Sequence, residues 1–298
     1  MPPPPPALSA AVSRLWTPRL SLTTCFRAVM ARDTRGVVLG DAQRFNHFPA
    51  SPLCSLSWWF HGVSEMLPEG ASATLDSPRL PHPEGIDIVF AGPFNRPLVS
   101  WNPGPVHGMM LLLMPDAVHH LLGIEPHDWL NRLEDIRLVL PPDWVAMCQA
   151  VQAAPDDDTR VQLIEDFLEP RWQQARPRHA LSPTYYRDWA EGLALRAALS
   201  GTGRSLRQVE RRIRGWAGQS LRDLRGIGRA EQAFFAVRRN DTGTGSIRPD
   251  WASLAADLGY ADQSHLCRET RRITGFSPEE LRRRIETEES FWPYRVWE

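Results

Sequence analysis

The chain has 298 residues, 42% hydrophobic and 23% charged, with a formal net charge of −1. That balance suits a folded chain with room for two domains and excludes wholesale disorder. No uninterrupted apolar run nears the roughly 20 residues of a bilayer-spanning helix. The four cysteines (Cys25, Cys54, Cys148, Cys267) form no CxxC pair, which suits reduced thiols in a cytosol better than a disulfide framework or a zinc site. We therefore expect a cytoplasmic protein with no membrane partner.

All 34 basic residues are arginine. That bias alone says nothing about nucleic acid, but the distribution does. From Ser182 to Glu298 the net charge is +4, and the remainder carries −5. A basic segment joined to an acidic one is the asymmetry of a nucleic-acid-binding module fused to something else.

In chain order, Pro2–Pro6 favour extended polyproline conformation and carry no apolar core of a secretory signal. Residues 1–24 read as a flexible tail. From Phe45 to Met114 the pattern is mainly β. Apolar runs Leu53–Phe60, Ile86–Phe90, Leu98–Trp101 and Met109–Met114 are separated by Pro, Gly and Asn clusters, which suggests a small sheet, sandwich or barrel. After Pro115 the character turns helical: Ala117, Val118, Leu121 and Leu122 share a face before Gly123. Val145, Met147 and Cys148 mark a short helix after Pro141 and Pro142. Val161, Ile164, Phe167 and Leu168 mark a longer one, with Thr159 as a candidate cap. Residues 173–182 read as a linker.

From Pro183 onward only helices are expected, broken at 201–203, 215–218, 240–249, Gly259 and Gly275. Two segments share one layout of helix, short glycine-containing turn and second helix. In the clearer one, Asp250 caps a helix Trp251–Leu258. Gly259 supplies a positive φ, and a second helix, Gln263–Thr274, buries Leu266 and Ile273. Gln263, Ser264, His265, Arg268 and Arg272 fall away from that apolar side, as on a recognition helix. Arginine bonds guanine bidentately, and Ser or His reaches base edges. Ser277 and Pro278 then begin a third helix.

The run from Trp251 through Gly259-Tyr-Ala-Asp-Gln-Ser-His-Leu266, Arg268 and Gly275-Phe-Ser-Pro278 resembles the second helix-turn-helix of AraC/XylS-type regulators. Thr270 stands where that family has an aromatic residue. Ser205-Leu-Arg-Gln-Val-Glu-Arg-Arg-Ile213, with Gly218-Gln-Ser220, resembles the family's first recognition helix, although the helix before it, around Trp189–Leu199, lacks a clear family pattern. Residues 221–239 would be the family's linker helix. Gly108–Met114, Pro115–Gly123 and the helix 160–172 look like the sensor half of a subgroup.

The resemblance implies an α+β chain. A β-rich sensor domain with flanking helices (25–175) precedes an all-α double helix-turn-helix DNA-binding domain (183–290). It implies a DNA-binding transcription regulator, responsive to a ligand or partner. Its main partner is double-stranded promoter or operator DNA, contacted at Arg207, Gln208, Arg211, Ser264, His265 and Arg268. A small-molecule effector, a homodimer and, for an activator, RNA polymerase are the further partners left open.

Two alternatives stand beside it. One is a metabolite-binding or scaffolding protein whose DNA module has degenerated; the other is a DNA-repair enzyme with a DNA-binding appendage. The cysteines lack the repair enzyme's metal-ligand spacing. His119, His120 and His127 diverge on a helix, and His47, His61, His82 and His107 include no His-x-His pair, so no metal is expected. No Gly-x-Ser-x-Gly elbow or phosphate loop occurs; no catalytic residue and no cofactor are expected. Trp58-Trp59-Phe60 and Trp101 are either core or pocket lining.

Overall fold

The computed structural model describes residues 11–177, 185–200, 205–241 and 249–297. The proline run 2–6, residues 178–182 of the expected linker 173–182, the break at 201–203 and most of the break at 240–249 lie outside the described residues, while residues 173–175 of that linker are helical instead. The architecture is α+β. Among the described residues there are nine strands: β1 (Val12–Trp16), β2 (Phe26–Asp33), β3 (Phe45–Phe48), β4 (Cys54–His61), β5 (Glu65–Met66), β6 (Ile88–Ala91), β7 (Leu98–Trp101), β8 (His107–Leu113) and β9 (Leu133–Asp135). They build two antiparallel sheets, one of six strands in the order β1-β2-β8-β4-β6-β9 and one of three, β3-β7-β5.

Helices α1 (Pro115–Leu122), α2 (Ile136–Val139), α3 (Pro142–Ala153) and α4 (Asp157–Ala175) accompany the sheets. A purely helical part follows, with α5 (Tyr186–Leu199), α6 (Leu206–Ala217), α7 (Leu221–Asp241), α8 (Trp251–Asp257), α9 (Gln263–Thr274), α10 (Pro278–Thr287) and α11 (Trp292–Arg295).

Register fixes which face of the large sheet is which. Ala28, Met30 and Arg32 pair with Leu112, Met110 and Gly108; Leu112 and Met110 pair in turn with Ser55 and Ser57, and these with Ala91 and Val89. Successive residues alternate sides, so these residues share one face. The opposite face carries Val29, Leu111, Leu113, Leu56, Trp58 and Phe90, all at most 1% exposed. It packs against the helical layer in a core that includes Ile164, Leu168 and Trp172. The Trp58 indole N–H donates to the Cys148 carbonyl (3.0 Å) and the Trp172 indole N–H to Thr24 Oγ1 (3.0 Å), so each large ring has its polar atom satisfied.

Two sequence expectations are corrected here. Val12–Trp16, expected within the flexible tail 1–24, is a strand whose Trp16 pairs with Val29. The Trp16 indole N–H donates to Asp158 Oδ1 (2.9 Å), and Leu22 is fully buried, so this segment is held by packing and hydrogen bonds. Thr159 does not cap α4. Asp156 does, accepting from the Thr159 backbone N–H (2.8 Å) and hydroxyl (3.0 Å), because the helix starts three residues earlier than a Thr159 cap would place it.

The helical part is not separated from the sheets by a wet boundary. Trp189, Leu193, Ile213, Ala217 and Leu224 belong to the same apolar core as the sheet and α1. The Trp189 indole N–H donates to Asp116 Oδ1 (3.0 Å), and Arg196 pairs with the other oxygen of that buried carboxylate.

Candidate nucleic-acid interface and the cavity behind it

Each of the two candidate recognition helices is fixed at both ends. For α6, Ser205 accepts from the Gln208 backbone N–H (3.4 Å), and Gly218 closes the helix at φ 74°. For α9, Asp262 accepts from the His265 N–H (2.6 Å), and Gly275 closes it at φ 86°. Before it, Asp250 accepts from Ala252 and Ser253, and Gly259 at φ 73° makes the turn. The Asp250 cap and the left-handed Gly259 are those that the sequence suggests.

Burial then divides each helix. In α6, Ile213 and Ala217 are fully buried, while Arg207, Arg211 and Arg214 are exposed. In α9, Leu266, Thr270 and Ile273 face inward, while Ser264, Arg268 and Arg271 are exposed. Steps of four and three residues keep each exposed trio on one helical face. Arg214 pairs with Glu210 (3.5 Å); Arg207, Arg211, Arg268 and Arg271 have no ion pair among the described residues.

The six residues expected to touch DNA thus divide three to a helix and do not converge on one cluster. Arg207, Arg211, Ser264 and Arg268 are exposed; Gln208 is half-buried. His265 differs from expectation. Its Nδ1 accepts from the Ala261 backbone N–H (3.3 Å) and its ring meets Tyr260 edge-on (5.3 Å). The imidazole stabilises the turn and leaves only Nε2 outward. Arg272, expected on the outer side, instead pairs with Glu269 (3.1 Å) and lies against α7 at Gly226, where an added Cβ would stand 2.9 Å from its guanidinium.

Behind α9 lies a feature that the sequence did not reveal. Between the two sheets and the helices lies a cavity of about 550 Å³, a volume that suits a small organic molecule. Its walls are the inner face of the large sheet, Phe48, Leu98 and Ser100 of the small one, and the inward sides of the helices. Ile227, Ala230 and Phe234 of α7 line it, as do Thr270 and Ile273 of α9, Leu281 of α10 and Trp292 of α11. Trp59 lines it too, whereas Trp101 packs against Phe45 and Arg79 instead. Thr270 is 6% exposed and its hydroxyl donates to the Leu266 carbonyl (2.8 Å). An aromatic ring at this position would project into the cavity wall.

Charged groups at the cavity rim are paired. The Arg32 guanidinium meets Glu289 (2.7 Å), which also holds Arg295 (3.1 Å). Arg27 meets Glu231 (3.3 Å), and Glu231 also accepts from the Tyr186 N–H (2.6 Å). Burial pushes the Glu231 carboxyl up to about 7, against the pull of Arg27 and of that N–H. The Ala50 N–H donates to the Ile273 carbonyl (2.7 Å), a backbone bond from the sheet region to the end of α9. Cys25, Cys54 and Cys148 are buried, and burial pushes their thiols well up, Cys148 to about 12; such thiols are poor nucleophiles. Among the described residues no group of three or more His, Cys, Asp or Glu side chains is placed to hold a metal ion, and no helix is long and apolar enough to cross a membrane.

No family model matches the chain, and no curated protein matches it. Among solved structures it is similar to ToxT from Vibrio cholerae. An unsaturated fatty acid-bound form is 12% identical, covering 86% of this chain and 94% of that one at a TM-score of 0.38. Another ToxT structure is 11% identical, covering 92% and 97% at a TM-score of 0.35. At such scores the backbones diverge too far for side-chain roles to be transferred.

Proposed function

We propose that this chain is a sequence-specific, DNA-binding transcription regulator of the AraC/XylS type, with 183–290 as its DNA-binding part and 25–175 as its regulatory part. One observation carries the reading. Two separately capped helices, α6 and α9, each bury an apolar side and turn outward two arginines, Arg207 and Arg211 on one and Arg268 and Arg271 on the other, that no acid neutralises among the described residues. Helices of this kind read the major groove, with arginine supplying both phosphate affinity and guanine recognition.

In this reading Arg207, Gln208 and Arg211 read one half-site, and Ser264 and Arg268 the other. His265 contributes through Nε2 while its ring fixes the turn. The cavity is the effector site. An occupant would touch Thr270 and Ile273 on the inner side of α9, so binding energy differing between two placements of α9 would be felt at the DNA.

Selection of bound sequences from random duplex DNA by the full-length chain, at two salt concentrations, tests this. The expected result is a motif with two half-sites about one helical turn apart, enriched at both salts and bound less tightly at the higher one. Binding without enrichment would reject sequence-specific regulation.

A further inference from the structure

We infer that the cavity takes an uncharged, largely apolar molecule carrying a hydroxyl or carbonyl group, which docks on the paired hydroxyls of Ser55 and Ser57. This rests on the reading of the cavity as an effector site and specifies its ligand. Ser55 and Ser57 alternate along β4 and face the cavity, in register with Leu112 and Met110 on β8. Each is 8% exposed, and among the described residues neither hydroxyl makes a hydrogen bond. Two hydroxyls that open onto the cavity and bond no protein group can each donate to or accept from a guest's hydroxyl or carbonyl. The surrounding wall is mostly hydrocarbon and thioether, from Met30, Met110, Leu112, Phe48 and Leu98, and its Asn46, Asn102, Ser64 and Ser100 side chains are hydrogen-bonded to protein groups.

Charge argues against an ionic guest. Every charged group that borders the cavity is already engaged. Arg32 is bound by Glu289 (2.7 Å), Glu231 by Arg27 (3.3 Å), and Arg282 by Glu279 (3.2 Å) and Glu286 (2.6 Å). Arg238 lies over the Phe234 ring (5.7 Å). A carboxylate guest would have to displace a tethered carboxylate from its arginine or lie against hydrocarbon without a counter-charge, and a cation faces the mirror problem. Either leaves a buried ion unpaired.

The test uses N-phenyl-1-naphthylamine, a neutral dye that brightens in apolar sites, and its displacement from the full-length chain by 1-dodecanol or by dodecanoate, at about pH 8 where the acid is ionised. The alcohol should displace the dye at roughly tenfold lower concentration or better. Replacing both serines (S55A with S57A) should weaken the alcohol about fivefold to tenfold, the worth of one neutral hydrogen bond. The melting curve of that variant serves as its folding control.

Dodecanoate matching or beating the alcohol would overturn the inference, while a dodecanoate-dependent change in DNA affinity would leave the regulator reading standing. A dye that does not bind at all would overturn the inference and the effector assignment together. A failed DNA selection would reject the regulator reading without touching the dye result.

Discussion

Glu231 and His47 are buried titratable side chains at the seam between sheets and helices, and they bend the pH dependence of stability in opposite directions. Glu231 has its carboxyl pushed from 4.5 up to about 7 by burial, with Arg27 and the Tyr186 N–H opposing and Asp188 adding to the rise. Between those values the folded state holds a proton that the unfolded chain has lost, so its contribution is full below 4.5 and fades as pH climbs through 7. His47 is stacked on Phe291 (4.5 Å), and its imidazole is pushed from 6.5 down to about 4 by burial and by Arg284. Its contribution is full above 6.5 and fades as pH falls through 4. The two slopes offset each other between about 4.5 and 6.5. Chemical denaturation across this window should show stability rising with pH in Glu231→Gln and falling with pH in His47→Gln. Parallel curves for both variants and the parent would reject this assignment. At this scale the arginines were partly legible: spacing placed Arg268 on an outward face, and the family resemblance singled out Arg207 and Arg211. His265 was not, because a side chain that folds back onto its own turn leaves no periodic trace.

Helix α9 depends on its caps for its placement. Asp262 accepts from the His265 N–H (2.6 Å) at the end that presents Ser264 and Arg268, and losing such a cap costs about 1 kcal/mol. Asp262→Ala should therefore lower the melting temperature measurably and weaken DNA binding more than its distance from the outward row suggests. Unchanged melting and unchanged binding would show the cap to be idle. The helices of the C-terminal part were legible because caps, closing glycines and apolar period agree. The strands were less so. In β2, six of the eight residues are buried because both faces are covered, one by helices and one by the cavity wall, leaving no period-two signal. In β4 the alternation of Ser55, Leu56, Ser57 and Trp58 is plain, yet serine on every second position normally signals a solvent face. Here it faces the interior. A cavity between two sheets is made by residues far apart in sequence, and no local pattern announces it.

Among the described residues, the segment after α10 returns to the sheets. Glu289, one residue inside the expected end of the helical domain at 290, is 4% exposed and binds Arg32 of β2. Trp292 then lies over that guanidinium (5.0 Å), and its indole N–H donates to Asn46 Oδ1 (2.8 Å). This closure ties the sheets to the segment that follows α10. Glu289→Ala should leave Arg32 buried without its counter-charge and cost about 3–5 kcal/mol. The paired replacement of Arg32 by Met and Glu289 by Leu should recover most of that, read as denaturant midpoints. A double variant as unstable as the single one would locate the loss in Glu289's bond to Arg295 instead.

The most direct measurement is the affinity of the full-length chain for its selected duplex, with Arg211→Ala and Arg268→Ala measured alongside the parent. Each substitution should weaken binding by about 1–3 kcal/mol and relax sequence choice at a different half-site. Parent-like affinity and unchanged sequence choice in both variants would contradict the assignment of α6 and α9 as the DNA-reading helices.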